Sequence, residues 1–236
     1  CLPLHHFLLI FIRNKLRFYL EKSIVNYLTP PSTTLTNDLK KFGFEPVKCL
    51  HHFIEFSKLK KVPKEKNLIL YVGALAKNKG VEYLIKAMPF ILKEIPDAKL
   101  RVIGDGPEME GLNKLSNDSI EFAGRIPHEK VIEEYQRASV FVMPSVWMEN
   151  SPFVLYECLI ASLPVVASNR GGIPDLVVDD FNGFLVKPAD PEKIAEKTVF
   201  LLKDVDVRKR FSENCQKLLK EKFSAEIYTA KLLHLY

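Results

Sequence analysis

The sequence lacks the features that mark several classes of protein. Its four cysteines are scattered, with no CxxC pair, so neither a zinc ribbon nor a disulfide framework is indicated and a reducing compartment is expected. The longest apolar run near the start, residues 7–12, is far shorter than the roughly 20 residues that a membrane span needs. Glycine and proline, at 10 and 15 of 236 residues, are too few for a low-complexity or collagen-like chain. An ordinary globular protein remains.

Dinucleotide and metal signatures are also missing. No GxGxxG fingerprint follows any predicted strand, which argues against a dehydrogenase. Four of the six histidines form two adjacent pairs, at positions 5–6 and 51–52. Neighbours in sequence point apart on a helix or a strand, so these pairs are poor metal ligands. The sequence therefore predicts no metal site.

The net charge of +5 is unevenly distributed. Residues 1–66 carry 12 Lys and Arg against 5 Asp and Glu, whereas residues 67–236 carry 22 against 24. A basic segment of this kind can contact anionic lipid or nucleic acid. Its charges alternate with apolar residues, as over residues 15–20, which is typical of the solvated face of an amphipathic helix. We favour the solvated face and leave the membrane contact open.

The chain from residue 67 onward alternates between strand and helix patterns. Helical spacing of apolar residues covers residues 80–95 and 129–137, and further helices are expected from near Ser151 and from about Asp190 to the end. Short apolar runs predict six strands, at residues 68–72, 100–103, 120–123, 140–143, 165–167 and 183–186. This alternation predicts an α/β fold with a doubly wound, Rossmann-like parallel sheet. Ligands of such sheets bind at the carboxyl ends of the strands, near a topological switch point.

Residues 1–66 do not follow this alternation. They suggest a strand at residues 33–37, a helix at 38–42 and another strand at 47–50, joined to the rest by a lysine-rich stretch at 58–66. We interpret them as the remnant of a different domain with its linker, and residues 67–236 as a second domain. The chain begins with Cys1 and not with Met, which favours a truncated or processed product.

A helix expected to start near residue 151 carries the clearest candidate residue. Glu157 lies in the otherwise uncharged stretch 150–169, so we expect a partly buried carboxylate that needs a polar partner. That partner is either an internal cation or the hydroxyl groups of a ligand, as with a ribose diol. Asn150 or Ser151 is expected to cap the helix with Pro152 in its first turn, and the free amides of that turn suit a phosphate.

Two loops after predicted strands indicate the same chemistry. Residues 73–80 follow the first strand and place Lys79 where it can neutralise a phosphate. The loop of Gly104, Asp105 and Gly106 follows the second strand and allows a ligand to approach the backbone closely. Each loop alone is weak evidence, because glycine-rich turns are normal in this fold class.

Together these segments resemble the C-terminal, donor-binding half of the retaining glycosyltransferases of family 4, which have the GT-B fold. The most specific part of the resemblance is a pair of glutamates separated by seven residues, Glu149 and Glu157, and followed by the elements PVVAS and GGIP. It covers residues 67 to 223. Its four segments are residues 71–80, residues 102–107, residues 122–127 and residues 143–175.

The resemblance implies a role for each matching position. Glu149 and Lys79 would be catalytic: Glu149 would bind hydroxyls of the donor sugar, and Lys79 would stabilise the leaving nucleoside diphosphate without a metal. Glu157 would hold the ribose hydroxyls. The other donor contacts it implies are backbone amides of Ser151, Phe153 and Val154 at the diphosphate, the loops at Gly73 and Gly104, and Ile126 near the base.

The chain departs from the pattern of the family in three places. Ala74 stands where an arginine is usual, Ser151 and Pro152 replace a Phe-Gly pair, and Ser162 alters the approach to the PVVAS element. Pro152 has no N–H to offer a phosphate. Asp204, Val205 and Asp206 form a DxD sequence, which binds metal in another glycosyltransferase fold, but here it follows a predicted helix and is interpreted as a helix–helix connection.

The implied activity is transfer of a hexose from a nucleotide-diphosphate sugar to a glycan or lipid-linked acceptor in polysaccharide biosynthesis, with retained configuration. The expected partners are the nucleotide sugar and that acceptor, without nucleic acid. The expected location is the cytoplasm. Peripheral contact with the inner face of a membrane, through the missing N-terminal domain, is left open. Two alternatives remain: a donor-binding module that is inactive without a separate acceptor domain, and a nucleotide-sugar epimerase of GT-B fold.

Overall fold

The computed structural model describes residue 13, residues 26–54 and residues 62–235. The predictions for the histidines at positions 5–6, for the basic stretch 15–20 and for the first part of the lysine-rich stretch 58–66 lie outside these residues. Within the described residues, no helix is long and apolar enough to cross a membrane.

A six-stranded parallel sheet organises the described part of the chain. The strands are β1 (Leu68–Val72), β2 (Lys99–Ile103), β3 (Ile120–Gly124), β4 (Val140–Met143), β5 (Val165–Ser168) and β6 (Gly183–Val186). Their spatial order is β3-β2-β1-β4-β5-β6, so the strand order reverses between β1 and β4. This is the doubly wound, Rossmann-like arrangement that the alternating pattern predicts, and each end of each strand lies within one residue of its predicted position.

Helices cover both faces of the sheet and create two apolar cores. Successive strand residues point to opposite faces, so Ile69 packs in one core and Leu68 and Leu70 pack in the other. Because both faces are buried, the central strands β1 and β4 are continuous apolar runs. The helices are α1 (Thr33–Lys41), α2 (Val81–Glu94), α3 (Met109–Lys114), α4 (His128–Arg137), α5 (Phe153–Ile160), α6 (Ile173–Leu176), α7 (Pro191–Lys203), α8 (Val205–Lys222) and α9 (Ala225–Leu233).

The DxD sequence joins two helices, as predicted. Asp204 ends α7, and its carboxylate accepts a hydrogen bond from the Val207 amide at 2.9 Å, which caps the start of α8. Its carboxylate therefore has a structural role at a helix terminus.

The segment of residues 26–54 differs from its predicted pattern. Residues 33–37 belong to helix α1 and are not a strand, and the strand predicted at 47–50 is reduced to a single bridge between Val47 and Leu28. The threonine-rich sequence favours a strand by propensity. That preference is overridden because Ser32 caps α1, accepting a hydrogen bond from the Leu35 amide at 3.3 Å, and the helix docks on the sheet domain.

Candidate functional site

The loops after β1 and β4 meet at the switch point of the sheet. The carbonyl of Asn78 accepts hydrogen bonds from the amides of Val146 at 3.1 Å and Trp147 at 3.2 Å. A Cβ at Gly80 would lie 2.2 Å from the carbonyl oxygen of Pro144, and Gly80 has a φ of +67°. Only glycine tolerates both conditions, so this residue lets the two loops touch.

Contact between these loops places Lys79 against Glu149. Nζ of Lys79 lies 2.7 Å from Oε1 of Glu149, and the Ser145 hydroxyl lies 2.7 Å from the same oxygen. The pair is largely shielded, since the Lys79 side chain is 30% exposed and that of Glu149 is 11% exposed. A lysine ammonium has three donors, so Lys79 can hold Glu149 and still present N–H groups to an anion. The two residues implied to be catalytic thus form one unit.

Helix α5 begins beside Glu149 without a side-chain cap. Pro152 occupies the N-cap position, contrary to the expected cap by Asn150 or Ser151. Both side chains are engaged elsewhere: Asn150 Oδ1 accepts a hydrogen bond from Ser32, and the Ser151 hydroxyl lies 3.0 Å from that of Tyr156. The first amides of a helix lack intrahelical acceptors, so this uncapped terminus suits an anion. Those amides are the ones at Phe153 and Val154.

Glu157 lies within α5 and is partly buried, as its uncharged surroundings predict. Its side chain is 14% exposed, and Oε1 lies 3.8 Å from Nδ1 of the exposed His128 at the start of α4. The buried Tyr135 lies beside this carboxylate. Burial raises the pKa of Tyr135, and the neighbouring Cys158 and Glu157 add to the effect. No lysine or arginine pairs with Glu157 among the described residues, so the polar face of its carboxylate meets the surface.

The remaining predicted contacts lie at the carboxyl ends of β1, β2 and β3. The amide of Gly73 donates to the Ile103 carbonyl at 3.0 Å, and the amide of Gly104 donates to the Gly124 carbonyl at 2.8 Å. A Cβ at Gly104 would lie 1.9 Å from the Gly73 carbonyl oxygen. The absence of a side chain at Gly104 therefore allows these strand ends to lie close together. Ile126 follows β3 and packs partly buried against the core under α5. All predicted site residues therefore follow strand ends or lie in α5.

Ala74 lies exposed at this edge, where the family usually has an arginine. Its carbonyl accepts a hydrogen bond from the Tyr71 hydroxyl at 2.9 Å. Lys77 is exposed in the 3-10 turn Lys77–Lys79. The loop after β1 therefore offers two lysines but no arginine.

The segment 26–54 supports the loop of Glu149, which no pattern in the sequence predicts. The Ser32 hydroxyl donates to Asn150 Oδ1 at 2.8 Å, and the Thr34 hydroxyl donates to the Gly171 carbonyl at 2.7 Å. The amide of Gly172 in turn donates to the Glu149 carbonyl at 2.7 Å. The GGIP element therefore joins helix α1 to the Glu149 loop. No local signal in the sequence pairs residues so far apart.

Metal ligands are absent from this part of the molecule. Across residues 26–54 and 62–235, no group of three or more His, Cys, Asp or Glu is arranged to hold a metal ion. That the reaction needs no metal stays a prediction.

A parallel sheet with a cation and an uncapped helix at its switch point is typical of α/β proteins whose ligands carry an anionic group. The chain belongs to the family described as "Glycosyl transferases group 1", which it matches over residues 53–218. It is 31% identical over 219 residues to an uncharacterized glycosyltransferase of Methanocaldococcus jannaschii, covering 91% of this chain and 56% of that protein. It is 30% identical over 186 residues to the capsular polysaccharide biosynthesis glycosyltransferase CapM of Staphylococcus aureus, covering 76% and 48%. The chain thus spans about half the length of these curated relatives.

Solved structures show the same fold. TarM of S. aureus superposes with a TM-score of 0.82 at 19% identity, covering 94% of this chain and 46% of that one. HepE of Anabaena in complex with UDP gives a TM-score of 0.81 at 17% identity, covering 92% and 65%. The C-terminal domain of the group 1 glycosyl transferase LpcC of Francisella tularensis gives 0.62 at 26% identity, covering 70% and 89%. The expected GT-B-type half is confirmed as a fold, whereas membership of family 4 stays a prediction.

Proposed function

We propose that this chain is the donor-binding part of a retaining hexosyltransferase, which moves a hexose from a nucleotide-diphosphate sugar to a glycan or lipid-linked acceptor. The observation that carries this proposal is the pair of Lys79 and Glu149, 2.7 Å apart at the switch point and adjacent to the uncapped start of α5. The Lys79 ammonium suits a diphosphate, and the Glu149 carboxylate suits sugar hydroxyls.

The diphosphate would lie between Lys79 and the first turn of α5. Loss of a nucleoside diphosphate leaves negative charge on its terminal phosphate, and donors already fixed around that charge stabilise the transition state. Lys79 is held in place by Glu149, so it need not be ordered when the substrate binds. The positive end of the helix dipole adds to the same field. These groups would supply the charge that a metal supplies elsewhere.

The two glutamates would bind hydroxyls in different parts of the donor. Glu149 precedes α5 and would accept hydrogen bonds from the hexose, while Glu157 within α5 would accept them from the ribose. Ionised carboxylates are acceptors only, which suits hydroxyl donors. This division is unlike a glycosidase, where two carboxylates flank one bond. Retention would follow from attack on the face that the diphosphate leaves.

Calorimetry with UDP and GDP tests the proposal. Hydrogen bonds to charged groups contribute roughly 1.5–3 kcal/mol, so Glu157→Ala is expected to weaken nucleoside diphosphate binding about tenfold or more. The matched control is Glu192→Ala, an exposed glutamate in the first turn of α7, which should bind as the unmodified chain does. Absence of binding at millimolar UDP and GDP would overturn the proposal, and so would equal affinities of the two variants.

Analysis of the reaction products distinguishes the two alternative functions. A donor-binding module would bind UDP or GDP but neither hydrolyse nor transfer the sugar, so turnover by the chain alone excludes it. An epimerase would release an altered nucleotide sugar without any acceptor. The acceptor, its membrane attachment and the cytoplasmic location remain parts of this proposal.

A further inference from the structure

A groove of about 740 Å³ runs between the end of helix α7 and the start of helix α8. Its apolar lining consists of Val199 and Phe200 on α7 and Val205 at the first position of α8. None of the residues that line it belongs to the candidate site. The groove is therefore a separate feature of the surface, and the proposed function does not account for it.

Large apolar side chains are exposed along this groove. Phe200 is 44% exposed and Val205 is 60% exposed. Phe90, which is 48% exposed, extends the same face from the neighbouring helix α2, because it lies one turn before Glu94, whose carboxylate pairs with Lys203 at 2.6 Å. Single exposed hydrophobic residues are normal on a protein, but several grouped at one groove are typical of an interaction surface.

The charges of the groove argue against a partner of one sign. Its charged lining is Glu196 and Lys197 towards one end and Lys203, Asp204 and Asp206 at the other. Three carboxylates and two ammonium groups create no strong potential of either sign, so a nucleic acid or an anionic membrane would gain little from this surface. The groove suits a protein surface on which both signs of charge are also mixed.

A second copy of this chain presents these charges in a complementary order. A two-fold axis across the groove reverses its direction in the partner, because an isologous interface brings the same patch of both subunits together. Lys197 would then face the partner subunit's Asp206, and Glu196 would face the partner subunit's Lys203. Asp206 forms no ion pair with any other residue that the structure describes, so its carboxylate can pair across the interface. The apolar residues of the groove would pack between the two sets of charges.

We propose that this face, formed by α7 with the adjoining parts of α2 and α8, is the interface of a two-fold homodimer. Helix α7 has 13 residues and is about 20 Å long. Helices pack about 10 Å apart, so the face measures roughly 600 Å² on each copy and roughly 1,200 Å² in total, which is the lower end of the range for specific interfaces. We therefore expect a reversible dimer with a dissociation constant in the micromolar range.

Sedimentation velocity of the 236-residue chain tests this dimer from roughly 1 µM to roughly 200 µM, a range around the expected dissociation constant. The mass should rise from that of one chain towards that of two. Val205→Glu removes an apolar contact from each copy and should weaken the dimer about tenfold or more. A glutamate in the first turn of a helix is favourable, so this variant should fold. The matched control is Leu233→Glu, at a residue of α9 that is 69% exposed and lies outside this face, and it should dimerise as the unmodified chain does.

Reversal of single charges tests the two-fold order. Lys197→Glu and Asp206→Lys should each weaken the dimer, and the double variant should restore it, because the ion pair is rebuilt between the copies. Within one chain Lys197 contacts the adjacent Glu196 and not Asp206, so a loss of folding would not be reversed in this way. A chain that stays monomeric at the highest concentration would overturn the proposal. A dimer that withstands Val205→Glu, that Leu233→Glu dissociates, or that the double variant does not restore would overturn it as well.

Discussion

The sheet domain of residues 62–235 and the segment of residues 26–54 are held by different kinds of interaction. The sheet buries long apolar side chains in two continuous cores, with strand residues such as Leu70 and Phe141 inaccessible to solvent. The segment buries few apolar residues, namely Pro30, Val47 and Leu50, and docks through directed hydrogen bonds and a few ring contacts such as that of His52 with Phe153. The folding of the sheet thus depends on many non-directional contacts, whereas the docking of the segment depends on a few contacts between specific atoms.

This difference bears on the site, because the segment docks on the loop that carries Glu149. A defect in the sheet should unfold the whole domain. A defect in the docking contacts should leave the sheet folded and loosen the loop. The division at residue 66 stays a prediction, although the described residues before it contact those after it at Asn150, Gly171 and Asp175.

The largest expected effect comes from Gly172→Ala. A Cβ at this position would lie 1.8 Å from the Asn150 carbonyl oxygen and 2.8 Å from Cβ of Ser32. Forced overpacking costs typically about 1–3 kcal/mol, so the free energy of unfolding in urea should fall by about that amount. The control is Gly111→Ala in helix α3, where no atom lies within 4 Å of the new Cβ. It should stabilise the chain by roughly 0.5–1 kcal/mol, and equal losses in both variants would contradict the docking geometry.

Ser32→Ala should separate the segment from the sheet more selectively. It removes the N-cap of α1 and the hydrogen bond to Asn150, and loss of a cap costs about 0.5–2 kcal/mol. Hydrogen exchange should therefore accelerate in α1 and in the loop before α5, with β1 and β4 still protected. Ser224→Ala removes a similar cap from α9, where no contact of that serine reaches the site. Faster exchange throughout the sheet in Ser32→Ala would refute the independence of the two regions.

The smallest expected effect is a pH dependence at the edge of the segment. The His52 ring stacks on Phe153, with ring centroids 5.0 Å apart, and burial together with the neighbouring His51 lowers the pKa of His52. The unfolded chain therefore binds this proton more readily than the folded chain does. The neutral His52 makes its full contribution to the free energy of unfolding above the ordinary histidine pKa of about 6.5. That contribution is lost as the pH falls through the lowered pKa of His52.

Urea unfolding between pH 7.5 and pH 5, a range around that pKa of about 6.5, measures this dependence. His52→Phe keeps the stacking and should flatten the profile slightly, whereas His234→Gln, at an exposed histidine, should not change it. An unchanged profile in His52→Phe would show that His52 does not carry this pH dependence.

Most of the sheet was predictable because burial on both faces leaves a local signature. The runs at residues 68–72 and 140–143 contain only apolar residues, and the observed strands have these same bounds. The cap of α5 and the strand at residues 33–37 were predicted wrongly. At α5, Asn150 accepts a hydrogen bond from the distant Ser32 and the Ser151 hydroxyl lies beside that of Tyr156, so neither side chain caps the helix. At residues 33–37, the cap by Ser32 and the docking of α1 override the strand propensity of the threonines.

The sequence by itself determined the strand order along the chain and the doubly wound class, because apolar periodicity is local. Its local patterns also singled out Lys79, Gly104 and Glu157 as candidates, whereas Glu149 and the other candidate site residues were implied by the resemblance to a glycosyltransferase family. Only the tertiary structure decided that Lys79 and Glu149 form a pair and that α1 docks on the Glu149 loop. These features join residues 70 to 142 positions apart. Such pairings depend on how the sheet brings its carboxyl ends together, and no local pattern carries that information.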